Sequence, residues 1–284
     1  MLWRGGRESG NVEDRRGVSG GQIAVGGGVL GVIALILNFL LGGDPSQIPT
    51  TPNNSPQTQT TQRSAHEEEL ASFVKHVLAF TEDVWNKQLP KQANLNYQEP
   101  TLVMFTQTVQ SGCGVASAQS GPFYCPADRK LYIDLSFYDE LQNRFGAPGD
   151  FAMAYVIAHE VGHHIQTLLG ISRKMAQIRQ QVSQGEYNQY SVRMELQADF
   201  LAGVWAHYMQ GQTINGQPVL ERGDIEEALN AANAIGDDRL QKQAQGYVVP
   251  ESFTHGSSRQ RMYWFKKGFD TGDLNQGDTF KSSE

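Results

Sequence analysis

Residues 150–170, DFAMAYVIAHEVGHHIQTLLG, carry His159 and His163 four positions apart, with Glu160 between them. Apolar residues recur at Ala154, Ile157, Ala158, Val161, Ile165 and Leu168, an Asp opens the segment and Gly170 closes it, so the pattern predicts an amphipathic helix. On a helix, side chains four apart project from one face, and two imidazoles so placed can take two positions around one metal ion. Glu160 lies beside them, where a carboxylate that does not bind the metal can take a proton from a metal-activated water as it attacks a carbonyl. His164 is turned about 100° away by the helix and is expected to pack or support rather than ligate.

A catalytic zinc keeps three protein ligands and one open position, so a third ligand has to come from another element. Residues 191–209, SVRMELQADFLAGVWAHYM, supply one: a capping Ser, small residues at Ala198, Ala202, Gly203 and Ala206 that allow close packing, and Glu195 and Asp199 four apart on one face. Two acids among Met194, Leu196, Phe200 and Leu201 need partners when buried, and a metal with its histidines provides them. Glu195 is therefore expected to be the third ligand to one Zn2+ per chain. Asp199 is expected to accept the second N–H of a ligand histidine. The rival assignment exchanges the two, with Asp199 on the metal, and His207 is a remoter candidate.

The H-E-x-x-H pattern followed by a helix with E-x-x-x-D resembles the gluzincin group of zinc peptidases, which includes thermolysin. More narrowly, NVEDRRG at 11–17, HEVGHHIQ at 159–166 and FTHGSSRQR at 253–261 resemble the bacterial neutral zinc metallopeptidase family of YpfJ-like proteins. The resemblance covers nearly the whole chain and implies a zincin-like fold and peptidase activity, without a substrate. His255 and Arg261, six apart, resemble the H-P-x-x-x-x-R element of membrane-associated gluzincins, although Gly256 stands where Pro is usual. Aimed at the open metal position, this pair would stabilise an oxyanion. Otherwise His255 caps the following helix and Arg261 binds a surface acid.

The elements that must position these groups are legible only in outline. The chain has 284 residues and a formal net charge of -7. Residues 1–20 hold four arginines against three acids, leaving 19 basic against 27 acidic residues in the remainder, an acidic body that argues against nucleic acid as a partner. Residues 21–42 read as a transmembrane anchor, because the uncharged run 23–41 would extend about 28 Å as a helix, close to the thickness of a bilayer core. The arginines before it predict a cytoplasmic N-terminal segment, 1–20, and an extracytoplasmic domain in a single-pass protein. A signal peptide or a buried soluble helix are the alternatives.

Residues 43–63, rich in Pro, Thr, Asn and Gln, read as a flexible linker, and 64–284 as the catalytic domain. That domain opens with a capped helix from Ser64 to about Gln88, continues with strands at 101–109 and 130–135, and turns mainly helical from Tyr138. The expected class is α+β, mainly helical with a small sheet. Cys113 and Cys125, in a Gly-, Pro- and Ser-rich loop, are expected to form a disulfide or remain two thiols. The run 130–135 is a candidate edge strand for pairing with an extended peptide. The expected function is hydrolysis of peptides or proteins, and the rival is a membrane-tethered, non-catalytic scaffold on the same fold.

Overall fold

The computed structural model describes residues 1–17 and 64–282. In chain order the elements are strand β1 (Val12–Asp14), helix α1 (Ala65–Ala93), and strands β2 (Thr101–Phe105), β3 (Thr108–Ser111), β4 (Gly114–Ser117), β5 (Phe123–Cys125) and β6 (Lys130–Asp134). Helices α2 (Phe137–Asn143), α3 (Asp150–Leu168), α4 (Ile171–Arg179) and α5 (Gln184–Met209) follow, then a small hairpin of β7 (Thr213–Ile214) and β8 (Gln217–Pro218). Helices α6 (Asp224–Ala234), α7 (Asp237–Gln245) and α8 (Ser258–Thr271) complete the fold. The architecture is α+β and mainly helical, with small sheets.

The main sheet has the order β1-β2-β6-β5, with β1, β2 and β6 parallel and β5 antiparallel to β6. Alternation along its strands sends Leu102, Met104, Leu131 and Ile133 into the helical core, and Val103, Phe105 and Tyr132 to the opposite face under the β3–β4 hairpin. The expected strand at 101–109 is broken at Gln107, whose φ of 66° turns the chain and whose N–H donates to Asp134 at 2.7 Å. Residues 130–134 form an interior strand and not the edge expected from the sequence, because β5 covers that side. Cys113 and Cys125 are bonded, tying the tip of the β3–β4 hairpin to the end of β5.

Helix α3 is buried almost all round, and Phe151, Ile157, Val161 and Ile165 each contribute roughly 1.5–3 kcal/mol by leaving water. It lies close against α5, where a Cβ on Gly162 would come within 3.0 Å of the Ala198 carbonyl oxygen. That close approach brings the His159 and Glu195 faces together. Helix α5 begins at a capping box of Ser183 and Glu186, so Ser191 lies inside the helix and does not cap it as expected. Helix α1 is capped by Ser64 but runs past Pro90 to a left-handed Asn94.

Residues 1–17 form part of the folded body, which differs from the expected separate N-terminal segment. Val12, Glu13 and Asp14 pair in register with Leu102, Val103 and Met104. All four N-terminal arginines meet carboxylates: Arg4 meets Glu69, Arg7 meets Glu82 and Asp83 at 2.8 and 2.9 Å, and Arg15 meets Glu13. Arg16, only 3% exposed, meets Asp14, Glu67 and Glu68. These charges are used in ion pairs within the fold, which the sequence reading had assigned to membrane orientation. The anchor at 21–42 and the linker at 43–63 lie outside the described residues. Among the described residues no helix is long and apolar enough to cross a membrane.

Candidate metal centre

The donor atoms of His159, His163 and Glu195 all lie within 4.8 Å of one another. His159 Nε2 is 3.1 Å from one oxygen of Glu195, and His163 Nε2 is 3.4 Å from the other. The opposite ring nitrogens are already engaged. His159 Nδ1 contacts Asp199 at 2.8 Å, and His163 Nδ1 contacts the Gln166 side-chain oxygen at 2.9 Å. Both partners are acceptors, so in the neutral rings Nδ1 carries the hydrogen and Nε2 presents its lone pair toward Glu195. In that tautomer two ring nitrogens and a carboxylate converge on one point and can share a cation, and two nitrogens with one oxygen suit zinc.

The electrostatics of the cluster carry the same demand. Burial by itself would lower the pKa of His159, but the charge and hydrogen bond of Asp199, followed by the hydrogen bond to Glu195, raise it to about 10. His163 is raised by Glu195 against the same opposing burial. Glu195 is held well below the usual carboxylate range: burial opposes this, and the charge of His163 and hydrogen bonds from both imidazoles prevail.

Asp199 is fully buried and does not reach the metal point. It accepts from Tyr155 Oη at 2.5 Å, from His159 Nδ1, and from Arg261 Nε and Nη2 at 2.8 and 2.9 Å. Burial would raise its pKa, but the charges of Arg261 and His159 hold it at about 2. Arg261, expected at the open metal position, instead closes a two-pronged pair with Asp199 and adds bonds to Tyr155 Oη and the Ile235 carbonyl. Its planar fork and fixed charge suit a buried two-pronged pair with a carboxylate.

Glu160 follows His159 on α3 and lines the same cleft. Burial raises its pKa; His163 and His159 oppose that, Glu195 adds to it, and the Tyr124 backbone N–H opposes it again. His255 also lines the cleft, held by Asp237, whose Oδ1 lies 3.2 Å from His255 Nδ1. The other oxygen of Asp237 accepts the backbone N–H groups of Thr254, His255 and Gly256 at 2.7, 2.6 and 3.0 Å. Against the effect of burial, the hydrogen bond and charge of Asp237 raise the His255 pKa above its ordinary value. Gly256 has φ of 92°, which proline cannot adopt, so the departure from the H-P-x-x-x-x-R element has a backbone cause.

His164 turns away from the cluster, as expected. Its Nε2 lies 2.5 Å from the Gln98 carbonyl and its Nδ1 3.2 Å from Tyr124 Oη. His207 contacts the Phe269 carbonyl through Nδ1 at 2.7 Å and is not among the donors that converge with His159, His163 and Glu195. Tyr155, Gln166 and Asp237 were missed by the sequence reading. Tyr155 stands four residues before His159 and Gln166 three after His163, so helical spacing could have flagged both; nothing in the sequence links Asp237 to His255.

The cleft around these groups measures about 560 Å³ and is walled by Phe123 and Tyr124 on β5, Phe137 and Phe145 around α2, Val156 on α3, and Ile235 and Leu240 near α7. Two histidines from one helix, an acid from a second and a free carboxylate beside them define a zinc-peptidase class of site. Residues 1–280 match the family model described as "Putative neutral zinc metallopeptidase", and the chain belongs to that family, whose cofactor is Zn2+. It is 52% identical to the uncharacterized protein YpfJ of Escherichia coli strain K12 over the full length of both chains. It is 46% identical to the uncharacterized protein Rv2575 of Mycobacterium tuberculosis strain H37Rv, over 71% of this chain and 67% of that one. No solved structure matches.

Proposed function

We propose that the protein is a zinc-dependent peptidase of zincin-like design, with His159, His163 and Glu195 as ligands and Glu160 as general base. The observation that carries this reading is the convergence of three donor atoms within 4.8 Å, with both Nδ1 atoms already taken. Zinc, when bound, supplies a Lewis acid that makes a water nucleophilic at neutral pH and polarises a carbonyl. Glu160 accepts the proton of the attacking water and delivers it to the departing amine nitrogen. His255, oriented by Asp237, donates to the oxygen on which negative charge develops. Arg261 acts through Asp199 on His159 and not on the substrate.

Among the described residues β5 is the outer strand of the sheet on the α3 side, and its edge suits an extended peptide, which would add a strand to the sheet. The aromatic and aliphatic walls favour a large apolar side chain next to the scissile bond. The N-terminal strand and the metal centre belong to one folded body, so both are proposed to occupy the same side of any membrane. The Cys113–Cys125 bond favours an oxidising compartment.

The test is zinc content and cleavage of unfolded casein by the full-length chain, with and without a chelator, for wild type and Glu160→Gln. About one zinc per chain, chelator-sensitive cleavage, and a variant that keeps zinc but loses turnover are expected. Turnover retained by Glu160→Gln would refute the base assignment, and zinc without cleavage by the wild type would favour a scaffold.

A further inference from the structure

His159 and His163 are supported in different ways. His159 leans on the charged Asp199–Arg261 pair, whereas His163 leans on a neutral amide, that of Gln166. Gln166 is fully buried, and each of its side-chain polar atoms is engaged. Its nitrogen donates to the Met194 carbonyl at 2.7 Å and to the Gln197 side-chain oxygen at 3.1 Å. Gln197 in turn donates from its own nitrogen to the Gly277 carbonyl at 2.9 Å.

This chain of bonds fixes which way each amide faces. The Gly277 carbonyl can only accept, so Gln197 presents its nitrogen there and its oxygen to Gln166. Gln166 must then present its nitrogen to Met194 and Gln197, leaving its oxygen for His163. An amide oxygen cannot donate, so His163 Nδ1 carries the hydrogen and Nε2 is left as the ligating atom.

We propose that Gln166 is the positioning residue that makes His163 a metal ligand, by accepting its Nδ1–H while bridging α3 to the Glu195 turn of α5. The two tasks reside in different atoms. The oxygen sets the imidazole, while the nitrogen ties α3 to Met194, the residue preceding the third ligand. The proposal rests on the zinc reading of the site and extends it to a residue that touches neither metal nor substrate.

The two tasks separate by substitution. Gln166→Leu removes both; Gln166→Glu keeps an acceptor for His163 and removes the donated bonds. The experiment measures zinc affinity of the full-length chain by competition with a chromophoric chelator, and urea unfolding of the metal-free protein, for wild type and both variants. Gln166→Leu is expected to weaken zinc binding about 10–100-fold, and Gln166→Glu to stay within about threefold of wild type. Both variants are expected to lower metal-free stability.

Zinc affinity that falls equally in both variants would reduce Gln166 to a helix bridge, and unchanged affinity in Gln166→Leu would remove the role altogether. Should Gln166→Leu fail to fold, Gln166→Glu alone decides, since loss of its zinc overturns the proposal and retention supports it. A wild-type chain that takes up no zinc would sink the metal reading and this proposal together, whereas tight wild-type binding with an unaffected Gln166→Leu would sink the proposal alone.

Discussion

Arg261 grips both oxygens of Asp199, at 2.8 and 2.9 Å, although the two residues are 62 positions apart and both are buried. Asp199 passes this contact on to His159 and Tyr155, so four side chains form one charged network behind the metal point. Removing one member of a buried pair leaves the other charge without compensation. Arg261→Leu is expected to cost about 3–5 kcal/mol of metal-free stability in urea unfolding. A loss below about 1 kcal/mol, the range of exposed pairs, would show that Asp199 does not depend on Arg261.

Asp237 and His255 are expected to act as one unit in turnover. His255→Ala should lower kcat/KM about 10²–10³-fold with zinc content unchanged, the cost of losing one donor to a developing oxyanion. Asp237→Asn should lower it by less, and the double variant should be no worse than His255→Ala. Additive losses in the double variant would separate the two roles.

Stability should depend on pH through His164. Burial, only partly offset by the Gln98 carbonyl, lowers its pKa from 6.5 to about 4. The folded protein therefore resists a proton that the unfolded chain accepts. The stabilisation is complete above pH 6.5, and up to about 3 kcal/mol is lost as pH falls from 6.5 toward 4. In a series of denaturant midpoints, His164→Asn should flatten this part of the profile; an unchanged slope would exonerate His164.

Reduction of Cys113–Cys125 should reach the cleft. The loop it closes contributes Gln119, Ser120, Gly121, Pro122, Phe123 and Tyr124 to the lining, and the Tyr124 N–H faces Glu160. Replacing both cysteines by serine is expected to cost roughly 2–4 kcal/mol and to raise KM for peptides while zinc content stays constant. Peptide kinetics identical to wild type would show that the wall holds without its staple.

The shared body of residues 1–17 and 64–282 sets a topological expectation. Gly10→Cys and Gln217→Cys, both at exposed positions, should be labelled together by a membrane-impermeant maleimide in intact cells, or both only after lysis. Labelling of one without the other would contradict the pairing of β1 with β2.

The sequence by itself determined what is local. Helical spacing of four residues put His159 and His163 on one face and Glu195 and Asp199 on another, and that spacing does not change with the surroundings. Tertiary structure decided whatever joins distant parts of the chain.

Val12 pairs with Leu102, Asp237 turns His255, β5 and not β6 forms the edge, and Arg261 faces inward to Asp199. The physical reason is that an arginine beside three acids, or a strand of alternating residues, fits many partners equally well on paper. Only packing selects one, because a buried charge or backbone group must find its partner within hydrogen-bond reach of where the fold leaves it.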